Sequence, residues 1–420
     1  MYNLKILLAT YWSIPHLGGV WSYMVQLKKK LEQLGHEVHM LGYDEDNLNI
    51  HMIGPDKKIS RDKLMPVLQA KINKGNYPEI YENKLVEYTE FQRYIFELGT
   101  AYFGLADYDL VHTQDVISTA CIDRIRPQHV PLVATLHGSV AHEIHHQLTT
   151  VHKTANSYIA RAYYDDLEKL GADTAEITIV ANNWLKSILV DEFKVVEEQI
   201  KVVHYGFDTE SFIKQMKVRT LITRPKNKKV IIYTGRLTDL KGIQYLLEAL
   251  GKLKKERQDW VCWIVGSGDG ESKLRVKSKV LGLDDYVQFL GKRDDVPALL
   301  GKADVYVLPT LLENQPLSLI EAQIAGKATI VSNVGGLPEM VQHMVTGILT
   351  PPGDSNALFE NINLLLANEQ LCKNLGTNAK KWGMTHWSLD QGVKSLLEVY
   401  DQAVLMRKNG EQDVSNNPLY

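Results

Sequence analysis

Cysteine is scarce: Cys121, Cys262 and Cys372 are the only three in 420 residues, far apart and odd in number. They make neither a disulfide framework nor a zinc spacing, which suits a reducing compartment. Segregated charge is missing. Lys and Arg number 47 against 50 Asp and Glu, a net charge of -3, and no polybasic block stands out. Nucleic acid is therefore not favoured as a main partner. Long hydrophobic runs are missing too. The N-terminal run 6–9 is far shorter than a signal-peptide core or a membrane span. These absences read as a soluble cytoplasmic protein, with peripheral contact at the inner face of a membrane left open. Two nucleotide fingerprints are also lacking. No G-x-G-x-x-G occurs, since GSGDG (266–270) has the wrong spacing, and there is no G-x-x-x-x-G-K-[ST].

What is present is rhythm. With 45% hydrophobic residues, the chain is too long for one core and suits two domains. LKILLAT reads as a buried strand and YWSIPHLGG as a loop. Val20, Met24, Leu27, Leu31 and Leu34 then step by four and three along one helix face, and HEVHML begins another strand. From about residue 228 the alternation resumes. KVIIYTG, WVCWIVG, VQFLG, ADVYVLP, ATIVS and GILT are strands separated by helical or loop segments. This predicts doubly wound parallel α/β sheets, which bind ligands beyond the carboxyl ends of their strands. Residues 57–74 mix basic and apolar side chains. They fit contact with anionic lipid or an anionic acceptor, or a solvated loop and helix. The tail from Asn409 is polar and reads as loose.

The stretch LLENQPLSLIEAQIAGKATIVSNVGG (311–336) carries two glutamates, Glu313 and Glu321, eight residues apart. Pro316 suits the first helical position. The N–H groups of Leu317 and Ser318 would then point out of the helix start and form an anion site. Glu313 at the mouth and Glu321 further in can accept hydrogen bonds from a polyhydroxyl ligand. The alternative makes Glu313 a plain N-terminal carboxylate and Glu321 part of a solvated face. In GRLTDLKG, Arg236 and Lys241 follow a strand and Gly235 directly. Together they can hold a diphosphate and stabilise it as it leaves; alone they are ordinary loop charges. Gly18 and Gly19, at the first strand–helix turn, would let backbone approach a phosphate closely.

In order and spacing, the opening GG, LHG, HYGFD, TGRLTDLKG, VGSGDGE, VQFLG, the run 303–341 and TGILTPPGD resemble the GT4-type retaining glycosyltransferases. The resemblance spans residues 4 to about 400, and its most specific part is E-x7-E, here Glu313 and Glu321. It implies the GT-B fold: two Rossmann-like doubly wound domains facing each other across a cleft. The N-terminal, acceptor-binding domain would be 1–207, joined by a crossover helix at 387–406, and the nucleotide-sugar domain 208–386. It implies transfer, with retention of configuration, of a sugar from a nucleotide-diphosphate donor, UDP-sugar first. The acceptor would be a glycan, a lipid-linked molecule or a small molecule. Arg236 and Lys241 match the diphosphate pair, Glu313 the glutamate near the sugar hydroxyls and Glu321 the ribose glutamate. Gly19 matches a phosphate contact and His137 a histidine near the reacting centre. Gly18, Gly266, Leu317 and Ser318 join the donor set. Many members carry an aromatic and a glycine where this chain has Gln315 and Pro316.

His16, Trp21, His112 and His142 are candidates for the acceptor side. HEIHH (142–146) also satisfies H-E-x-x-H, with Glu168 as a third ligand, which would make a zinc metallopeptidase. A further alternative is a GT-B enzyme that isomerises or phosphorolyses sugars. DYD (107–109) looks like a D-x-D metal site but precedes a buried strand. No catalytic metal and no cofactor are expected.

Overall fold

The computed structural model describes residues 3–15, 18–150 and 157–416, with no side-chain detail at 150 or 410–416. Two compact units form, one from Met1–His204 with Gly392–Tyr420 and one from Tyr205–Gln391.

The first unit holds eight strands: β1 (Lys5–Ser13), β2 (Glu37–Tyr43), β3 (Asn49–Ile53), β4 (Lys57–Ser60), β5 (Leu110–Thr113), β6 (Leu132–Leu136), β7 (Ile177–Val180) and β8 (Ile200–Val202). Their order is β4-β3-β2-β1-β5-β6-β7-β8. Pairing from β2 through β8 is parallel, while β2–β3 and β3–β4 are antiparallel. Ile6, Leu7, Leu8 and Ala9 are fully buried, as a strand covered by helices on both faces demands. The chain order reverses between β1 and β5, which opens a crevice at their carboxyl ends.

The second unit holds β9 (Lys229–Thr234), β10 (Trp260–Val265), β11 (Val287–Gly291), β12 (Val305–Leu308), β13 (Ala328–Ser332) and β14 (Ile348–Thr350). Their order is β11-β10-β9-β12-β13-β14, parallel throughout. Trp260, Trp263, Tyr233 and Tyr306 fill its core. Here the reversal lies between β9 and β12.

Three expectations change. The first boundary moves to His204/Tyr205, because the Phe207 N–H donates to the Trp387 carbonyl within the second unit. The last helix runs Leu389–Asn416 and enters the first unit's share of the chain at Gly392. It continues through most of the segment read as a loose tail; a helix satisfies its own backbone, so polarity alone does not stop it. Residues 57–74 are not a plain loop and helix either. β4 is an edge strand with Lys57 and Lys58 exposed and Ile59 buried, and edge lysines discourage pairing with another chain. Among the described residues, no helix is long and apolar enough to cross a membrane.

Glu168, in the helix Ser157–Asp173, is fully buried, and its Oε2 accepts the Ala141 N–H at 2.9 Å. Burial pushes its carboxyl up to about 8. The folded state therefore holds a proton that the unfolded chain releases near its ordinary carboxylate value, and stability falls as pH rises between the two. In Glu168→Gln, the drop in melting temperature from pH 5.5 to 8 should shrink by about 2 °C or more. Calorimetric scans across that range check it; an unchanged slope would contradict the assignment.

Candidate active site

In the second unit the site is built on the two loops at the reversal point. After β9 comes Gly235, then Arg236, whose exposed side chain has no carboxylate partner among the described residues. A short turn, Asp239–Lys241, ends at Gly242 with φ of 67°. A Cβ on Gly242 would lie 1.9 Å from the Pro309 carbonyl oxygen, so only glycine lets the two loops touch. They are then laced together. The Leu311 N–H donates to the Leu240 carbonyl at 2.7 Å, and the Thr310 hydroxyl donates to the same oxygen at 3.0 Å.

That lacing brings Lys241 to Glu313. The Lys241 Nζ donates to Glu313 Oε2 in an ion pair whose two side chains are only 16% and 15% exposed. Glu313 is gripped from the far side as well. Its carbonyl accepts the Gly336 N–H at 3.1 Å. Gly335, at φ of 59°, lets that backbone pass, since a Cβ there would meet the Glu313 carbonyl oxygen at 1.9 Å. The Gly-Gly pair after β13 thus fixes Glu313.

The helix Leu317–Ile324 starts one residue later than expected: Pro316 is its N-cap, not its first residue. The cause lies in its backbone, which is extended at ψ of 126°. The mouth stays open nonetheless. The Leu319 and Ile320 N–H groups donate to the Pro316 carbonyl at 3.1 and 3.3 Å. Those of Leu317 and Ser318 have no partner among the described residues. The Tyr306 hydroxyl donates to Ser318 Oγ at 2.9 Å. Glu321 lies one turn further on the same face. No hydrogen-bond partner for its carboxyl occurs among the described residues, and burial alone pushes it up to about 7. Gly266 is different. Its N–H donates to the Gly291 carbonyl at 2.9 Å and is not free for a ligand.

This arrangement offers an unpaired guanidinium, two free N–H groups at the positive end of a helix, an ion-paired lysine and a half-buried carboxyl with no protein partner among the described residues. A diphosphate suits the first two, and vicinal hydroxyls suit the last.

In the first unit, Gly18 is the N-cap of the helix Gly19–Gln33, with no capping side chain and no acidic residue in the first turn. Its φ of 166° is extended backbone open to any residue, so conformation does not require the glycine there. Trp21 is half-buried in that first turn, and His16 lies outside the described residues. His137 follows β6. Its Nε2 lies 2.9 Å from Gln114 Oε1, and its ring meets Tyr23 edge-on with centroids 5.2 Å apart. Tyr23 is one turn along the helix that Gly19 opens, so His137 packs against the start of that helix.

His112 does not reach a ligand. It is fully buried, with Nδ1 2.7 Å from the Tyr400 hydroxyl and Nε2 2.7 Å from the Thr135 hydroxyl. Burial pushes its pKa down to about 3. It is a neutral core residue, because both nitrogens are spent on interior partners. His142 pairs with Glu192 at 2.8 Å. Glu168 serves the Ala141 N–H instead of a metal, and no three metal-ligating side chains cluster among the described residues. The metallopeptidase reading of HEIHH has no support in this geometry. Gln114 was not singled out by sequence; its only signal is its place at the end of the LVHTQ strand.

Comparison with known proteins gives the class to which this fold belongs. The family model for Glycosyl transferases group 1 matches residues 217–382, and that for Glycosyltransferase Family 4 matches residues 17–211. The chain belongs to the GT4-type glycosyltransferases. It is 24% identical over 426 residues to an N-acetyl-alpha-D-glucosaminyl L-malate synthase of Bacillus anthracis, spanning 97% of this chain and 100% of the relative. Sucrose-phosphate synthase from Thermosynechococcus elongatus superposes with a TM-score of 0.72 at 20% identity, covering 95% of this chain and 98% of that one. Anabaena HepE in complex with UDP-glucose superposes with a TM-score of 0.66 at 19% identity, covering 95% and 100%. These structural likenesses establish the fold as GT-B.

Proposed function

We propose that this protein transfers a sugar from a nucleotide-diphosphate donor, a UDP-sugar first, to a hydroxyl of a glycan, lipid-linked or small-molecule acceptor, with retention and without a catalytic metal. The open helix mouth at Leu317 and Ser318, with the half-buried Glu321 carboxyl one turn inside, is the observation that carries this reading. Arg236, Lys241 and the mouth hold the diphosphate and stabilise the charge that develops as the sugar leaves. Glu313 binds the sugar hydroxyls and Glu321 the ribose. From the first unit, Gly18 and Gly19 are assigned to phosphate and His137 to the reacting sugar. Trp21 and His142 remain candidates for the acceptor. The UDP-glucose held by the Anabaena structure supports the choice of donor class.

A direct test incubates the protein with UDP-, GDP- and ADP-sugars and a panel of hydroxyl acceptors in EDTA, with products followed by NMR. An α-linked product from an α-linked donor is expected. Product of inverted configuration, or no transfer from any donor, would contradict the reading.

Glu321 adds a prediction. With its carboxyl near 7, it is about half protonated at neutral pH. Ribose hydroxyls donate to the charged form, so binding UDP should release up to about half a proton at pH 7. Calorimetric titration in buffers of different ionisation heat reads this release; Glu321→Gln should abolish it.

A further inference from the structure

We propose that Gln114 is a positioning residue for His137: its side-chain carbonyl fixes which imidazole nitrogen carries the proton and how the ring is turned. The inference rests on the reading of His137 given above.

The argument begins with the rigidity of Gln114. It follows β5 at the reversal point of the first sheet and is 1% exposed. Its N–H donates to the Ala9 carbonyl of β1 at 2.8 Å. Its Nε2 donates to the His112 carbonyl at 3.4 Å. With the amide nitrogen turned to one carbonyl, the amide oxygen is left facing His137, 2.9 Å from Nε2. The next residue clamps the same turn. Asp115 Oδ2 accepts the Tyr11 N–H at 2.8 Å and the Thr10 hydroxyl at 2.9 Å, while Oδ1 accepts the Ser118 N–H at 2.7 Å. The ends of β1 and β5 are therefore tied together, and Gln114 has little freedom to turn away.

A carbonyl oxygen can only accept. At 2.9 Å an unprotonated Nε2 would set two lone pairs against each other, so the proton of neutral His137 belongs on Nε2. Nδ1 is then the basic nitrogen. The Tyr23 ring, 5.2 Å away at 67°, restricts the imidazole from another side. A histidine held in one tautomer and one orientation is pre-organised for a hydrogen bond to a reacting sugar, and the group that holds it touches no substrate itself.

The experiment compares wild type, Gln114→Met, Gln114→Glu and His137→Ala. Methionine keeps the length but removes the acceptor; glutamate keeps an acceptor. Two-dimensional 15N NMR of the imidazoles, with His137 assigned by its loss in His137→Ala, should show the Nε2–H form in wild type. The same form is expected in Gln114→Glu, and a tautomer mixture in Gln114→Met. Turnover in Gln114→Met should fall about 10- to 30-fold with donor KM within about threefold, and recover to within about fivefold of wild type in Gln114→Glu. An unchanged tautomer and rate in Gln114→Met, with His137→Ala inactive, would overturn the positioning role and leave the function standing. Full activity in His137→Ala would overturn the role given to His137, while the NMR would still decide the tautomer. If Gln114→Met does not fold, the wild-type and Gln114→Glu spectra decide; the Nδ1–H form in wild type would overturn the proposal.

Discussion

Arg236→Ala is expected to lower kcat/KM for sugar transfer by about a thousandfold while leaving the melting temperature within about 1 °C of wild type. The two halves of that expectation have one origin. The guanidinium is exposed and has no carboxylate partner among the described residues, so the fold gains little from it. An unpaired arginine in the loop after the central strand suits the proposed role of diphosphate contact. Charge on the leaving diphosphate grows in the transition state, so a donor aimed at it stabilises that state more than bound substrate. Arg236→Lys should recover only part of the loss, because a point charge lacks the fork that grips two oxygens. Steady-state kinetics with melting curves on the same samples check this. A large fall in melting temperature would make Arg236 a structural residue.

Glu313→Gln is the second change of large effect, and it should split binding from turnover. Lys241 is tied to Glu313, so a diphosphate in the proposed site would compete for the ammonium with a carboxylate that already satisfies it. Removing the negative charge frees Lys241. UDP alone should then bind a few-fold more tightly, since the competition is lost and like-charge repulsion from Glu313 disappears. Turnover of the nucleotide-sugar should fall at least about a hundredfold, because Glu313 is the acceptor assigned to the sugar hydroxyls. The pair is only about one-sixth exposed, which keeps the coupling from being screened away as a surface pair would be. Titration calorimetry with UDP and turnover with the full donor separate the two effects. Weaker UDP binding in the variant would mean that the ion pair holds the site together instead of competing with the ligand.

The alternation of strands and helices was legible because buried parallel strands read as continuous apolar runs, as at 229–234 and 260–265. Helices of the covering layers show their periodic face, as at 243–253. The loops that matter were legible for another reason. Gly242 and Gly335 are demanded by backbone contacts with Pro309 and Glu313, so the motif spacing records real contacts between loops. The sequence could not show that Lys241 and Glu313 pair with each other. Both residue types are explained equally well by separate ligand contacts, and they stand 72 positions apart. It also misled at His112. A histidine at the end of a buried strand looks the same whether its nitrogens face a ligand or, as here, Tyr400 and Thr135. Tyr400 comes from the far end of the chain, 288 residues away, and no local pattern reports it. Gln114 was missed for the same reason: its partner His137 lies one strand over.

The most direct measurement is a thermal shift of the intact protein with UDP, GDP and ADP, each with EDTA, on wild type and Arg236→Ala. At a ligand concentration a hundred times Kd the stabilisation is about 2.7 kcal/mol, a rise on the order of 5–10 °C for a domain of this size. One nucleoside diphosphate, UDP first, is expected to give that rise in EDTA for wild type and little or none for Arg236→Ala. No shift from any nucleotide, with EDTA alone lowering the melting temperature of wild type, would contradict the account.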